Sequence, residues 1–140
     1  MADVIFNSFK KKIMDGSIDL DTDTIKVALV TSSYTPDQDA HDFFDDVTNE
    51  VSGTGYSAGG ASLANKAVTA DNTDNEGVFD ADDVTWSSSS ITARAAVLYK
   101  STGTASTSAL IAYVDFGADK TSSSGNFTIQ WNSEGILNLN

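Results

Sequence analysis

The 140-residue chain has no cysteine, one histidine, one proline and only eight lysines and arginines. Without thiols it has no disulfide and no thiolate nucleophile, and with His41 as its sole imidazole it cannot build the usual Cys/His zinc sites. Eight basic against twenty acidic residues give a net charge of −12 and a pI of about 4.1. Condensed nucleic-acid phosphate would repel such a chain, so no nucleic-acid partner is expected. No apolar run approaches the ~18 residues of a membrane-spanning helix, so no membrane partner is expected either. Residues Met1 to Phe9 carry Asp3 and no basic stretch ahead of a hydrophobic one; no signal peptide is expected, and synthesis in a reducing cytoplasm is. Glutamate is scarce as well, with Glu50, Glu76 and Glu134 the only three.

What is present is strand and loop chemistry. Eighteen Ser, fifteen Thr and ten Gly fill the segments between apolar runs, and those runs are rich in Val, Ile, Phe, Tyr and Trp. A 14.7 kDa chain should fold with roughly 6,900 Å² of exposed surface, about a third of its unfolded value. That supports one domain spanning 1–140 with a core that needs no staple.

Two segments read as helices. Over Asp3–Met14, Ile5, Phe9 and Ile13 recur at a spacing of four beside Phe6; Lys10, Lys11 and Lys12 complement the C-terminal end and Gly16 caps it. The lysine triplet needs no partner to explain it, and the apolar face of this helix suits the protein's own core better than an anchor on a neighbour. Thr35-Pro36-Asp37-Gln38 is a helix-start pattern, followed by Ala40, Phe43, Phe44, Val47 and Val51, which predicts a second short helix ending near Thr48 or Asn49.

The remainder reads as strands. Ile25–Thr31 is nearly continuous apolar sequence, as in a strand buried on both faces. Ala93–Lys100 and Leu110–Phe116 flank a polar loop and suggest a hairpin, and in Phe127–Trp131 the residues Phe127, Ile129 and Trp131 alternate inward. Weaker strand signals lie at Leu63–Thr69, Val78–Phe79, Val84–Trp86 and Ile136–Leu139. The expected fold is mainly β: an antiparallel β-sandwich, jelly-roll-like, with an N-terminal helix and one further short helix.

Catalytic patterns are thin. His41 lies among carboxylates, and no Gly-x-Ser-x-Gly elbow accompanies it. Asp19, Asp21 and Asp23 alternate as in a calcium loop, but the sixth and twelfth positions are Thr24 and Val30, where an EF-hand needs Gly and Glu. Asp80, Asp82 and Asp83 form a second cluster that a solvated acidic face explains. Gly53-Thr54-Gly55-Tyr56-Ser57-Ala58 matches the dinucleotide fingerprint in letters, yet a helix is expected before it and none after. Asn126-Phe127-Thr128 is a glycosylation sequon that requires a secretory route. No catalytic, cofactor-binding or metal residue is therefore assigned, no cofactor is expected, and the protein is not expected to be an enzyme.

The stretch Asn7-Ser8-Phe9-Lys10, then Gly16-Ser17-Ile18-Asp19-Leu20-Asp21-Thr22-Asp23-Thr24-Ile25-Lys26-Val27-Ala28-Leu29-Val30-Thr31, resembles a family of small tailed-bacteriophage virion proteins. So do Ser33-Tyr34-Thr35-Pro36-Asp37, His41-Asp42-Phe43-Phe44, Asn49-Glu50-Val51, Gly53 to Tyr56, Phe79 to Trp86 and the closing Gly125 to Gly135 segment. The resemblance spans most of the chain, and its motifs are architectural. It implies a virion structural protein with no active site to carry over: a capsid decoration (cement) protein that binds the major capsid protein, as a homotrimer, and is located in the virion. A tail, baseplate or fibre component is the alternative. A third class, an enzyme or a carbohydrate-binding sandwich, would draw on Tyr34, Tyr56 and Tyr113 as exposed stacking residues.

Overall fold

The computed structural model describes residues 2–140. Its elements are β1 (Val4–Ile5), α1 (Asn7–Met14), β2 (Ile25–Val30), β3 (Ala61–Ser62), β4 (Ala67–Asp71), β5 (Glu76–Asp80), β6 (Val84–Ser89), β7 (Thr92–Lys100), β8 (Leu110–Thr121), β9 (Gly125–Ile129) and β10 (Leu137–Leu139). Every pairing between them is antiparallel. Five strands form one sheet in the order β1-β8-β7-β2-β3; β10-β5-β4 and β6-β9 form two smaller ones. The fold is the expected mainly-β, antiparallel sandwich with an N-terminal helix.

The apolar runs of β2 and β7 are continuous because both faces of their sheet are covered. Ile25, Val27, Leu29, Ala96 and Leu98 face a large core completed by Phe79 of β5, Val84 and Trp86 of β6, and Phe127 and Ile129 of β9. Ala28, Val30, Ala95, Val97 and Tyr99 face a second core closed by Phe6, Tyr34 and Tyr113, with Phe44 and Val47 packed against it. The β7–β8 hairpin forms with the long polar loop expected of it. Strands β6 to β7 and β8 to β9 cross from one layer to the other, and two buried serines close this corner. Ser89 Oγ lies 2.7 Å from Ser122 Oγ and donates to the Trp86 or Gly125 carbonyl, each 3.0 Å away.

Helix α1 begins at Asn7, four residues later than expected. Val4 and Ile5 pair with Tyr113 and Ala112 instead, which lets Phe6 enter the second core while Phe9 enters the first. Asp3 thus caps a strand edge, its Oδ1 accepting the Asp115 N–H at 2.7 Å. The C-terminal end is as read: the Ser17 N–H reaches back over Gly16 to the Lys12 carbonyl at 2.9 Å.

The second helix is far shorter than its sequence signals. Asp37 does accept the Asp39 and Ala40 N–H groups at 3.0 Å, and the His41 N–H closes one turn on the Asp37 carbonyl. The chain then leaves the helical path, because Phe43 pairs with Ala109 and Asp42 with Leu110 at the start of β8. Phe44 stacks on Tyr99 with ring centroids 4.1 Å apart. Only a 3-10 turn at Phe44–Asp46 remains. Along this extended strap Phe43, Phe44 and Val47 are half-buried and Val51 is buried, while Ala40 stays exposed; tertiary pairing overrides local propensity.

Candidate functional site

His41 is engaged by its own neighbours in the strap. Its Nδ1 accepts the Asp37 N–H at 3.2 Å and lies 2.9 Å from the Tyr34 hydroxyl, while its ring stacks on Tyr34 at 5.7 Å. It is a clasp for the strap. Tyr34 and Tyr113 are buried and Tyr56 is half-buried, which removes them as exposed stacking residues. Burial also pushes the Tyr99 phenol up to about 12 and raises those of Tyr34 and Tyr56 further, so none offers a phenolate near neutral pH.

Asp19 and Asp23 of the first run close a turn, and the second run ties to other segments of the fold. Asp19 Oδ1 accepts the Asp21 N–H at 3.1 Å and the Thr22 N–H at 3.3 Å, and hydrogen bonds from the Thr22 side chain, then from these amides, hold its carboxyl below the usual range. Asp23 Oδ2 accepts the Asp19 N–H at 2.8 Å and pairs with Lys100 at 3.1 Å. In the second run, Asp80 accepts from the Ala81 N–H, Asp82 from Asn65 and Asp83 from the Trp131 N–H. The stretch from Gly53 to Ala58 is a packing loop: a Cβ on Gly53 would lie 2.8 Å from the Ser90 carbonyl, and one on Gly55 2.7 Å from the Ser89 Cα. No helix follows, so the dinucleotide fingerprint has no phosphate-binding helix end. The Lys10–Lys12 triplet is locally occupied, with Lys11 on Asp15 at 2.9 Å and Lys12 over the Phe43 ring at 4.4 Å.

One constellation escaped the sequence reading. Carboxylate oxygens of Asp71, Asp74, Glu76 and Glu134 lie within 4.8 Å of one another, the one such group among the described residues. Three come from the β4–β5 turn and one from the β9–β10 connection. An all-oxygen set of this kind suits a hard cation. Two members already have partners: Asp71 accepts the Thr73 and Asp74 N–H groups, and Glu76 accepts from Asn138. The signal in sequence was the Asp71, Asp74, Glu76 spacing; Glu134 comes from a distant segment that only the fold delivers.

Two surfaces remain without partners. The first is the outer part of the β10-β5-β4 sheet. Val68, Phe79 and Leu137 form one cross-strand row and Ala70, Gly77 and Leu139 the next on the same face. Phe79 is 2% exposed in the core, but Val68 is 53% and Leu139 75% exposed, so the apolar face runs on past the body that it packs against. The second is a groove of about 530 Å³ along the β9 edge that no strand covers. Its lining includes apolar Val114 and Phe116 of β8 and Trp131, and polar Asn126, Gln130 and Asn132.

No family model, curated protein or solved structure matches the chain. Among the described residues no helix is long and apolar enough to cross a membrane.

Proposed function

We propose that this protein is a structural component of a tailed-bacteriophage virion, specifically a capsid decoration protein that binds the major capsid protein as a homotrimer and catalyses nothing. The observation that supports this most directly is the exposed apolar face of the β10-β5-β4 sheet, where Val68 extends the row of Phe79 into solvent and Leu139 stands exposed in the next row. An apolar sheet face with unpaired outer strands is a surface that protein partners cover. The resemblance across the chain gives that partner its identity: shell subunits, and neighbouring copies of this chain. Cement proteins act by mass action, many modest contacts together resisting the pressure of packaged DNA. On a molecule of net charge −12, a contact patch of Val68, Ala70, Gly77 and Leu139 carries no charge that the shell must match.

The test is a particle assembled without the protein. It should form normally but release DNA at lower temperature or under osmotic shock, and purified protein added back should restore resistance. Particles as robust as wild type that fail to adsorb to cells would replace this reading with a tail, baseplate or fibre role.

A further inference from the structure

We propose that the groove along β9 binds a neutral saccharide, a function beyond the structural role above and independent of it. Four features carry the assignment. First, the groove's lining combines two chemistries: Phe116 and Trp131 offer apolar ring surface, and Asn126, Gln130 and Asn132 offer amides, each both donor and acceptor. A pyranose has the matching halves, a C–H face that packs on an aromatic ring and a rim of hydroxyls that both donate and accept.

Second, the aromatic wall is fixed in advance. The Trp131 indole N–H donates to the Asp82 carbonyl and its backbone N–H to Asp83 Oδ1, both at 3.0 Å. The indole's only donor is thus committed, so toward the groove it offers hydrocarbon alone, held without an entropy cost on binding. Third, the polar rim is largely unspent, although Asn132 Oδ1 already accepts the Glu134 N–H at 2.9 Å. Asn126 and Gln130 are exposed and make no side-chain hydrogen bond among the described residues, unlike Thr128 between them, which is 2.9 Å from Thr85 Oγ1. Asn126 lies on β9 and Gln130 one residue past its end, a span of up to about 13 Å, which is room for more than one sugar ring. Fourth, the groove's charges balance. Among the described residues Asp3 and Lys120 are the only charged ones that line it, on a chain of net charge −12, which disfavours phosphates and other anions. Its volume, about 530 Å³, lies within the usual range for small-ligand sites.

The rival occupant is an extended strand from a second copy, added to the open β9 edge. Isotope-labelled protein titrated with maltotetraose, cellotetraose and tetra-N-acetylchitotetraose separates the two. At least one should shift the Trp131 indole resonance while that of buried Trp86 stays put, with saturation at millimolar concentrations. Asn126→Ala and Gln130→Ala, both exposed and therefore safe for folding, should each weaken binding by about tenfold; Trp131→Ala should abolish it. If none of the three sugars moves Trp131, Asn126 or Gln130 at about 20 mM, the proposal is wrong. If those signals move with protein concentration and not with sugar, the groove belongs to a second copy.

Discussion

Gly60 offers a sharp test of how the fold is held. Its φ is +76°, and a Cβ built there would sit 1.9 Å from the Val27 carbonyl oxygen and 2.7 Å from the Ala28 Cα. Gly103 shares the left-handed backbone, with φ +88°, but a Cβ there meets nothing within 4 Å. Gly103→Ala therefore reports the backbone strain alone, roughly 1–2 kcal/mol. Gly60→Ala adds a backbone clash roughly 1.5 Å short of ordinary contact. The strand cannot yield without consequence. Ala61 pairs with Val27, the Leu63 N–H donates to the Ile25 carbonyl at 2.8 Å, and the Tyr99 hydroxyl donates to the Gly59 carbonyl. Displacing β3 forfeits two or three such bonds at about 1 kcal/mol each. It also draws Leu63, 5% exposed, out of the core for about 2 kcal/mol more. With strain included, Gly60→Ala should cost about 5–7 kcal/mol, much of the stability of a domain this size. Urea and thermal unfolding followed by circular dichroism measure both variants. Gly103→Ala should lower Tm by about 3–6 °C, and Gly60→Ala by about 15 °C or to the point of not folding. Two variants within 1 kcal/mol of each other would refute the argument that β3 is locked against β2.

Ile129, 6% exposed on β9, faces the larger core, so Ile129→Asp should unfold the domain, because an unpaired buried carboxylate costs several kcal/mol; a soluble variant with native circular dichroism would place that strand the other way round. Asp21→Asn should leave any response of Tm to millimolar calcium unchanged, since Asp19 and Asp23 already close their own turn. A calcium-dependent rise in Tm abolished by this substitution would make the run a metal site after all. In acid, the carboxyls of Asp19, Asp37 and Asp46 are held below their ordinary 3.8 chiefly by donated N–H and side-chain hydrogen bonds, and that of Asp115 chiefly by Arg94. Their folded forms bind protons less readily than the unfolded chain, so this stabilisation is complete above about pH 4 and disappears as the pH drops through the folded values. Melting curves should show Tm falling between pH 4 and pH 2, and a Tm that rises over that interval would contradict the assignment.

How much of this was legible in the sequence depends on how local each cause is. The β2 run declared burial on both faces because continuous apolar sequence has few other uses, and Phe127 and Ile129 declared their face by alternation. Gly16 declared a helix end because its cap is built within a few residues. The strap from Thr35 to Asn49 misled for the opposite reason. Its capping signals are real, and Asp37 uses them, but Phe43 and Asp42 find partners on β8, some 66 residues away in sequence. The β9 groove was invisible for the same reason. Trp131 was expected inside with Phe127 and Ile129, and it is half-buried because the chain leaves β9 just before it. Tyr34 and Tyr113 looked like free aromatics only until the second core was known.

The acidity of the chain also acquires a cause. Three of the twenty acidic residues are glutamates, so seventeen are aspartates, and the difference in side-chain length matters. An aspartate reaches the backbone N–H two or three residues on, which a glutamate overshoots. Asp15, Asp19, Asp37, Asp71 and Asp115 all do this, to Ser17, Asp21, Asp39, Thr73 and Gly117. Much of the net charge is thus a by-product of closing many turns in a strand-rich chain with one proline. It is poor ground for inferring a cationic ligand or a charged partner. The informative surfaces are those that the turn-closing aspartates leave alone. Val68 and Leu139 on the overhanging sheet, and Trp131 with Asn126 and Gln130 beside β9, are where contact with another molecule would not have to overcome the charge that the fold itself requires.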